Sequence, residues 1–197
     1  MSQISRDRIV QEALSLFAEE GFDRVTLRDL GSRVGLHNSS LFHHFRGKAE
    51  IAHGALDRVG QDLLPCLEPL AADDPPRLDV FLGVVGALAE CFAARPQEAR
   101  FLLRVLMDPR ALEGAGRPGR RTYPALAVRL FTALAGWLRR AQDAGAVRAV
   151  HGPRVTRMVL GALLVEPALG EGEASGDEEL RSRRDEVVAF VGGALAP

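Results

Sequence analysis

Between Val25 and Ile51 the chain reads VTLRDLGSRVGLHNSSLFHHFRGKAEI. Its chemistry is concentrated in a short helix pattern that is polar at the start, Asn38-Ser39-Ser40, and ends in Phe42, His43, His44 and Phe45. A tight turn at Gly35 separates it from a preceding helix pattern. That order is the form of a helix-turn-helix, a unit that lays its second helix in the major groove of DNA.

Such a unit needs support. Leu27, Leu30 and Val34 give the helix before the turn an apolar stripe, and Thr26 with Asp29 has the spacing of a capping box. Gly31 lets two helices cross closely, and Gly35 can take a positive φ without steric cost. Leu36 and Leu41 complete the buried contacts. An amphipathic helix from about Ser5 to Glu20, carrying Ile9, Ala13, Leu16 and Phe17, packs behind them with Phe22 and stops at Gly21.

From Arg24 to Lys48 five cations stand against Asp29 alone, whereas the whole chain carries a net charge of −1. A local positive excess on a near-neutral protein fits a compact DNA-contact face and argues against a non-specific architectural binder. Beyond Lys48 the pattern stays helical. A fourth helix carries Ile51, Ala55, Leu56, Val59 and Leu63 as far as Pro65. Further helices are expected at about 77–94, 96–107, 122–144, 153–169 and 177–195, about nine in all. The segment Pro109 to Arg121 reads as a loop, Gly145 as a helix stop, and no strand pair shows convincing alternation. The expected fold is all-α. It divides into residues 1–47, a three-helix DNA-binding domain, and 48–197, a helical effector-binding and dimerisation domain.

Thr26 to Ile51, with the helix before it, resembles the DNA-binding domain of the TetR family of bacterial repressors. The residues that carry the resemblance are Thr26, Gly35, Asn38–Ser40, Phe42, Phe45 and Lys48. The remainder matches only as a helical segment of suitable length. The resemblance implies a homodimer, a double-stranded palindromic DNA operator, and release from it when a small hydrophobic effector binds. It also implies roles. Thr26 and Lys48 would touch backbone phosphates, and Arg28 would reach phosphate from the exposed side of its helix. Asn38, Ser39 and Ser40 would meet base edges, with His43 and His44 at phosphate or groove. Phe42 stands where the family often has Tyr, which leaves packing or a thymine-methyl contact. His37 replaces a usual Ser or Thr, so Asn38 is expected to cap the helix. Gly47 replaces a polar cap before the fourth helix, the expected lever between the two modules.

The second module is rich in large apolar side chains. The resemblance implies an effector pocket among them, with Phe92, Phe101, Met107, Tyr123, Phe131 and Trp137 as its candidates. Apolar stripes containing Val155, Val159, Ala162 and Leu163, and Val187, Val188, Phe190, Val191 and Leu195, make the last two helices the implied dimer interface.

Other motifs read blandly. Gly114, Gly116 and Gly119 spell GxGxxG but lack the strand a dinucleotide site needs. His43, His44 and the pair His53–Asp57 have no companion metal-ligand motif, so neither a metal nor a cofactor is expected. An enzyme on a helical scaffold would need a nucleophile–base pair or acidic dyad, and none stands out. Cys66 and Cys91 have no basic residue immediately beside them in sequence and read as inert thiols of a reducing cytoplasm. No apolar run approaches the ~20 residues that cross a bilayer.

Overall fold

In the computed structural model, residues 5–107, 125–169 and 177–197 are described, with the backbone alone for Asn38 and Asp177. The described residues form helices and no strands. Ser5 opens α1 (Arg6–Glu20) by accepting the Arg8 N–H, and Gly21 closes it at φ +89°. α2 (Leu27–Val34) begins with the expected capping box. Thr26 Oγ1 accepts from the Asp29 N–H, and Asp29 Oδ2 accepts from the Thr26 N–H at 2.8 Å. Gly35 ends α2 in the left-handed region, φ +71°, and the Leu36 N–H reaches back to Gly31 O at 2.8 Å. A side chain at Gly35 would be strained there, so the turn depends on glycine.

α3 (Asn38–His44) and α4 (Lys48–Leu63) complete the amino-terminal unit. Its core is Ile9, Ala13, Phe17, Leu30, Val34, Leu41, Phe45 and Ile51, all buried. Phe17 and Phe22 pack with ring centroids 5.4 Å apart, as the sequence led us to expect.

After α4 a 3-10 turn (Pro65–Leu67) leads into α5 (Glu68–Ala72), then α6 (Leu78–Ala94), α7 (Pro96–Met107), α8 (Ala125–Asp143), α9 (Gly152–Leu169) and α10 (Asp177–Leu195). The five-residue α5 is the helix that the periodicity did not reveal, because so short a segment beside two prolines shows no period. Gly145, at φ +71°, stops α8 as expected. α10 lies along α6, and α9 packs against α6, α7 and α8. One apolar core runs unbroken from Ile9 to Leu195 through both halves of the chain.

Candidate nucleic-acid interface

α3 is held from beneath and bare on its outer side. Leu41 and Phe45 are 1% and 3% exposed, whereas Phe42 is 57% exposed, an unusual position for a phenylalanine. His37, Ser39 and His43 are exposed, and Ser40 and His44 are half-exposed. Burying Leu41 within the seven-residue helix, and Phe45 at its C-cap, fixes which side chains face outward.

His37 occupies the N-cap position and makes no side-chain cap bond. Asn38 is the first helical residue and is therefore not the cap, contrary to expectation. A capping residue must have extended backbone, and it is His37 that has it, at φ −72° and ψ 152°. The Asn38 side chain lies outside the described residues.

Thr26 and Arg28 stand at the head of α2, both exposed. The Thr26 hydroxyl donates to Asp29 Oδ2 at 2.6 Å, so its proton is already engaged. These bonds hold the Asp29 carboxyl below its ordinary pKa, the Thr26 hydroxyl being the main cause. The Leu27 and Arg28 N–H groups have no intrahelical acceptor and point out of the helix end.

Lys48, expected to pair with a phosphate, also has partners within the chain. Its ammonium donates to Phe22 O at 2.7 Å and to Val25 O at 2.9 Å, and lies 4.2 Å from the Phe22 ring centroid. The first residue of α4 thereby ties down the turn before α2 and keeps one N–H donor uncommitted.

Glu50 is a second brace that sequence reading missed. Its Oε2 accepts from the Arg46 N–H at 2.8 Å and its Oε1 pairs with Arg6 of α1 at 2.9 Å, while the Arg6 guanidinium lies 4.6 Å from the Phe45 ring centroid. The signal was present as an acid in the first turn of α4, within reach of the N–H groups that precede the helix. Arg33 pairs with Glu12 of α1 at 3.2 Å.

Arg104 reaches from α7 to the end of α1, where its guanidinium donates to Ala18 O at 3.0 Å and Glu19 O at 3.2 Å. A cation on the last carbonyls of a helix satisfies orphan acceptors and opposes the helix dipole. α1 packs along α7 more extensively than α4 packs on α6 or α8. The route from the second half to the helix-turn-helix therefore runs through α1 as well as α4.

A cavity of about 550 Å³ opens among α7, α8 and α9, lined by Leu103, Leu106, Met107, Phe131, Leu160 and Leu164 with Arg157 at its edge. Of the expected pocket residues, Met107 and Phe131 line it. Phe101 borders a smaller cleft of about 350 Å³ beside the α1–α2 turn. Phe92 and Trp137 line neither. Both are fully buried core, and Trp137 stacks on Phe81 at 4.5 Å while its indole N–H donates to Asp73 at 2.7 Å. Bulk and apolarity marked them for burial, and the core claimed them before a cavity could. Tyr123 lies outside the described residues, as do Pro109 to Arg121 with the GxGxxG glycines.

The His53 ring bonds through Nδ1 to Ala49 O on its own helix at 2.7 Å. Among the described residues no cluster of His, Cys, Asp or Glu could hold a metal ion, and no helix is long and apolar enough to cross a membrane.

Residues 9–55 match the family described as bacterial regulatory proteins, tetR family. The chain is 31% identical over 72 residues to the HTH-type transcriptional regulator TcmR of Streptomyces glaucescens, covering 36% of this chain and 32% of TcmR. It is 39% identical over 46 residues to IcaR of Staphylococcus epidermidis, a negative transcriptional regulator of a biofilm operon, covering 23% of this chain and 25% of IcaR. The matched segments thus span about a third and a quarter of those relatives. The fold is similar to that of PfmR from Thermus thermophilus, a TetR family transcriptional regulator, with TM-score 0.68, 26% identity and coverage of 95% of this chain and 97% of PfmR. The helix-turn-helix is thus matched in sequence by bacterial regulatory proteins of the tetR family, and the helical remainder is similar in fold to a TetR family transcriptional regulator.

Proposed function

We propose that the protein is a ligand-responsive DNA-binding transcriptional repressor, acting in the cytoplasm as a homodimer on a palindromic operator. The observation that carries this reading is α3, braced by Leu41 and Phe45 and exposed along Ser39, Phe42 and His43. Asn38, Ser39 and Ser40 read base edges, and Phe42 offers its ring to a thymine methyl. His37, His43 and His44 supply further groove or phosphate contacts. Thr26, Arg28 and the α2 amino terminus hold phosphate, and Lys48 adds its remaining donor.

Residues 1–47 are the reading domain, and 48–197 carry effector and dimer surfaces. The dimer face differs in detail from the stripes seen in the sequence. Val159, Leu163, Val191 and Leu195 are spent on the chain's own core. Met158, Val165 and Leu169 on α9 and Phe190 on α10 are exposed and apolar, and suit burial against the same helices of a second copy.

The cavity between α7, α8 and α9 suits a small hydrophobic effector whose anionic or polar end meets Arg157. Leu103, Leu106 and Met107 share α7 with Arg104, so an occupant that shifts α7 also acts on the end of α1. The effector works by favouring a dimer whose recognition helices no longer match successive major grooves, ~34–36 Å apart. No catalytic step enters this reading, and the regulators to which the chain is similar lend no support to an enzyme or an architectural binder.

Selection from a random duplex pool, followed by titration of the winner and a scrambled duplex at physiological salt, tests the reading. A palindrome bound on the order of 10³-fold more tightly than the scramble, or better, is expected. Equal affinity for both would overturn it.

A further inference from the structure

Cys66 and Cys91 are the chain's two cysteines, and the fold brings their Sγ atoms to 4.0 Å. Cys66 sits in the 3-10 turn that follows α4, and Cys91 in α6. Both are half-buried, so a small oxidant can reach them. Cys91 has no basic neighbour in sequence, but the helix supplies one a turn later. Arg95 Nη1 donates to Cys91 Sγ at 3.6 Å while its Nε pairs with Asp62 at 3.4 Å. Cys66 Sγ instead donates to the Asp62 backbone carbonyl at 3.6 Å. Cys91 Sγ also faces that carbonyl, at 4.0 Å, so what sets the two sulfurs apart is the hydrogen bond from Arg95 to Cys91.

We propose that Cys66 and Cys91 form a peroxide-oxidisable dithiol, with Cys91 the attacking sulfur, Cys66 the resolving sulfur, and an intramolecular disulfide the product. The Cys91 thiolate attacks one oxygen of a hydroperoxide. The O–O bond breaks, and the departing alkoxide or hydroxide takes a proton from water. Cys91 is now a sulfenic acid. Cys66 sulfur then attacks Cys91 sulfur, the S–O bond breaks, and the hydroxide leaves with the Cys66 proton as water. Two thiols and one hydroperoxide give one disulfide, one alcohol or water, and one water; the two electrons pass to the peroxide.

The division of roles follows from the surroundings. The Arg95 guanidinium, hydrogen-bonded to Cys91 Sγ, is placed to meet the negative charge carried by an attacking sulfur. Burial, with Cys91 alongside, pushes the Cys66 thiol up to about 11, which suits a sulfur that waits protonated until a sulfenic acid forms beside it. A disulfide has S–S of ~2.05 Å, so the sulfurs must close by about 2 Å. The bond would fasten the far end of α4 to α6. Lys48, at the other end of α4, braces the helix-turn-helix. Only this last consequence rests on the DNA-binding reading; the thiol chemistry does not.

The test treats the reduced full-length protein with hydrogen peroxide at about tenfold excess, blocks remaining thiols, and maps peptides by mass. An intramolecular Cys66–Cys91 disulfide, reversed by dithiothreitol, is expected. C66S should accumulate sulfenic acid at Cys91, trapped by dimedone, and C91S should consume peroxide at least ~10-fold more slowly than C66S. Two alkylatable thiols after treatment of the wild type, disulfides only between chains, or equal peroxide consumption by C66S and C91S would each overturn the proposal. Because none of these readouts uses DNA, failure of the dithiol and failure of the repressor reading are separable.

Discussion

Replacing Lys48 with Met keeps an aliphatic stem of similar bulk and removes the ammonium. That ammonium makes two bonds, to Phe22 O at 2.7 Å and Val25 O at 2.9 Å, and lies 4.2 Å from the Phe22 ring centroid. A hydrogen bond with a charged donor contributes roughly 1.5–3 kcal/mol. The ring contact adds about 0.5–1 kcal/mol where the cation is partly hydrated. Lys48 is half-exposed, so water can take over part of the duty at both carbonyls. A net loss of about 3 kcal/mol follows. In a chain of this size each kcal/mol moves Tm by roughly 2–4 °C, so K48M should melt roughly 6–12 °C below the wild type by circular dichroism. A fall of less than about 2 °C would refute the bracing argument. A second readout separates bracing from phosphate contact. If the remaining donor meets a phosphate in each protomer of the dimer, the slope of log affinity against log salt should shrink by about 1.8, roughly 0.9 per contact, at a temperature where K48M is folded. An unchanged slope would remove Lys48 from the phosphate contacts and leave its structural role intact.

Arg104→Gln should lower stability by about 1–3 kcal/mol, because the carbonyls of Ala18 and Glu19 lose a charged donor; an unchanged urea midpoint would contradict the clamp. Glu98 is buried, and burial is the main reason its carboxyl titrates above the ordinary range. Its folded pKa exceeds its unfolded one, so its contribution to stability is greatest below about pH 4.3 and is lost as pH rises through the folded pKa. Glu98→Gln should therefore raise Tm at pH 7 and change it little at pH 4, and a lower Tm at pH 7 would contradict the sign. Val165→Asp with Phe190→Asp should weaken dimerisation on the order of 10²-fold or more in sedimentation equilibrium, by placing unpaired charges on the proposed α9–α10 face. Unaltered self-association of that double variant would move the dimer surface elsewhere.

Much of the amino-terminal unit was legible because its local rules agree. Thr26 and Asp29 are three residues apart, Gly35 stands where φ must be positive, and Leu30, Val34 and Leu41 recur at helical spacing. The outward set on α3 follows from the same period once Leu41 and Phe45 are placed inside. What stayed hidden depends on how helices dock. Arg104 meets Ala18 and Glu19 across a long stretch of chain, and Cys66 meets Cys91 only once α6 lies beside the end of α4. Apolar bulk could not separate Trp137, which stacks in the core on Phe81, from Phe131, which borders a cavity. The α9 and α10 stripes were visible, but which half of each serves the chain itself is settled by packing against α6 and α7.

The reading of DNA through α3 is tested most directly by repeating the random-pool selection with Ser39→Ala and Ser40→Ala proteins that melt like the wild type. Both side chains sit outside the core, so folding should survive the changes. The account predicts a palindrome whose half-sites lose preference at one or two symmetry-related positions, with ~1–3 kcal/mol less discrimination there. Enriched sequences identical to the wild type's, position by position, would contradict it.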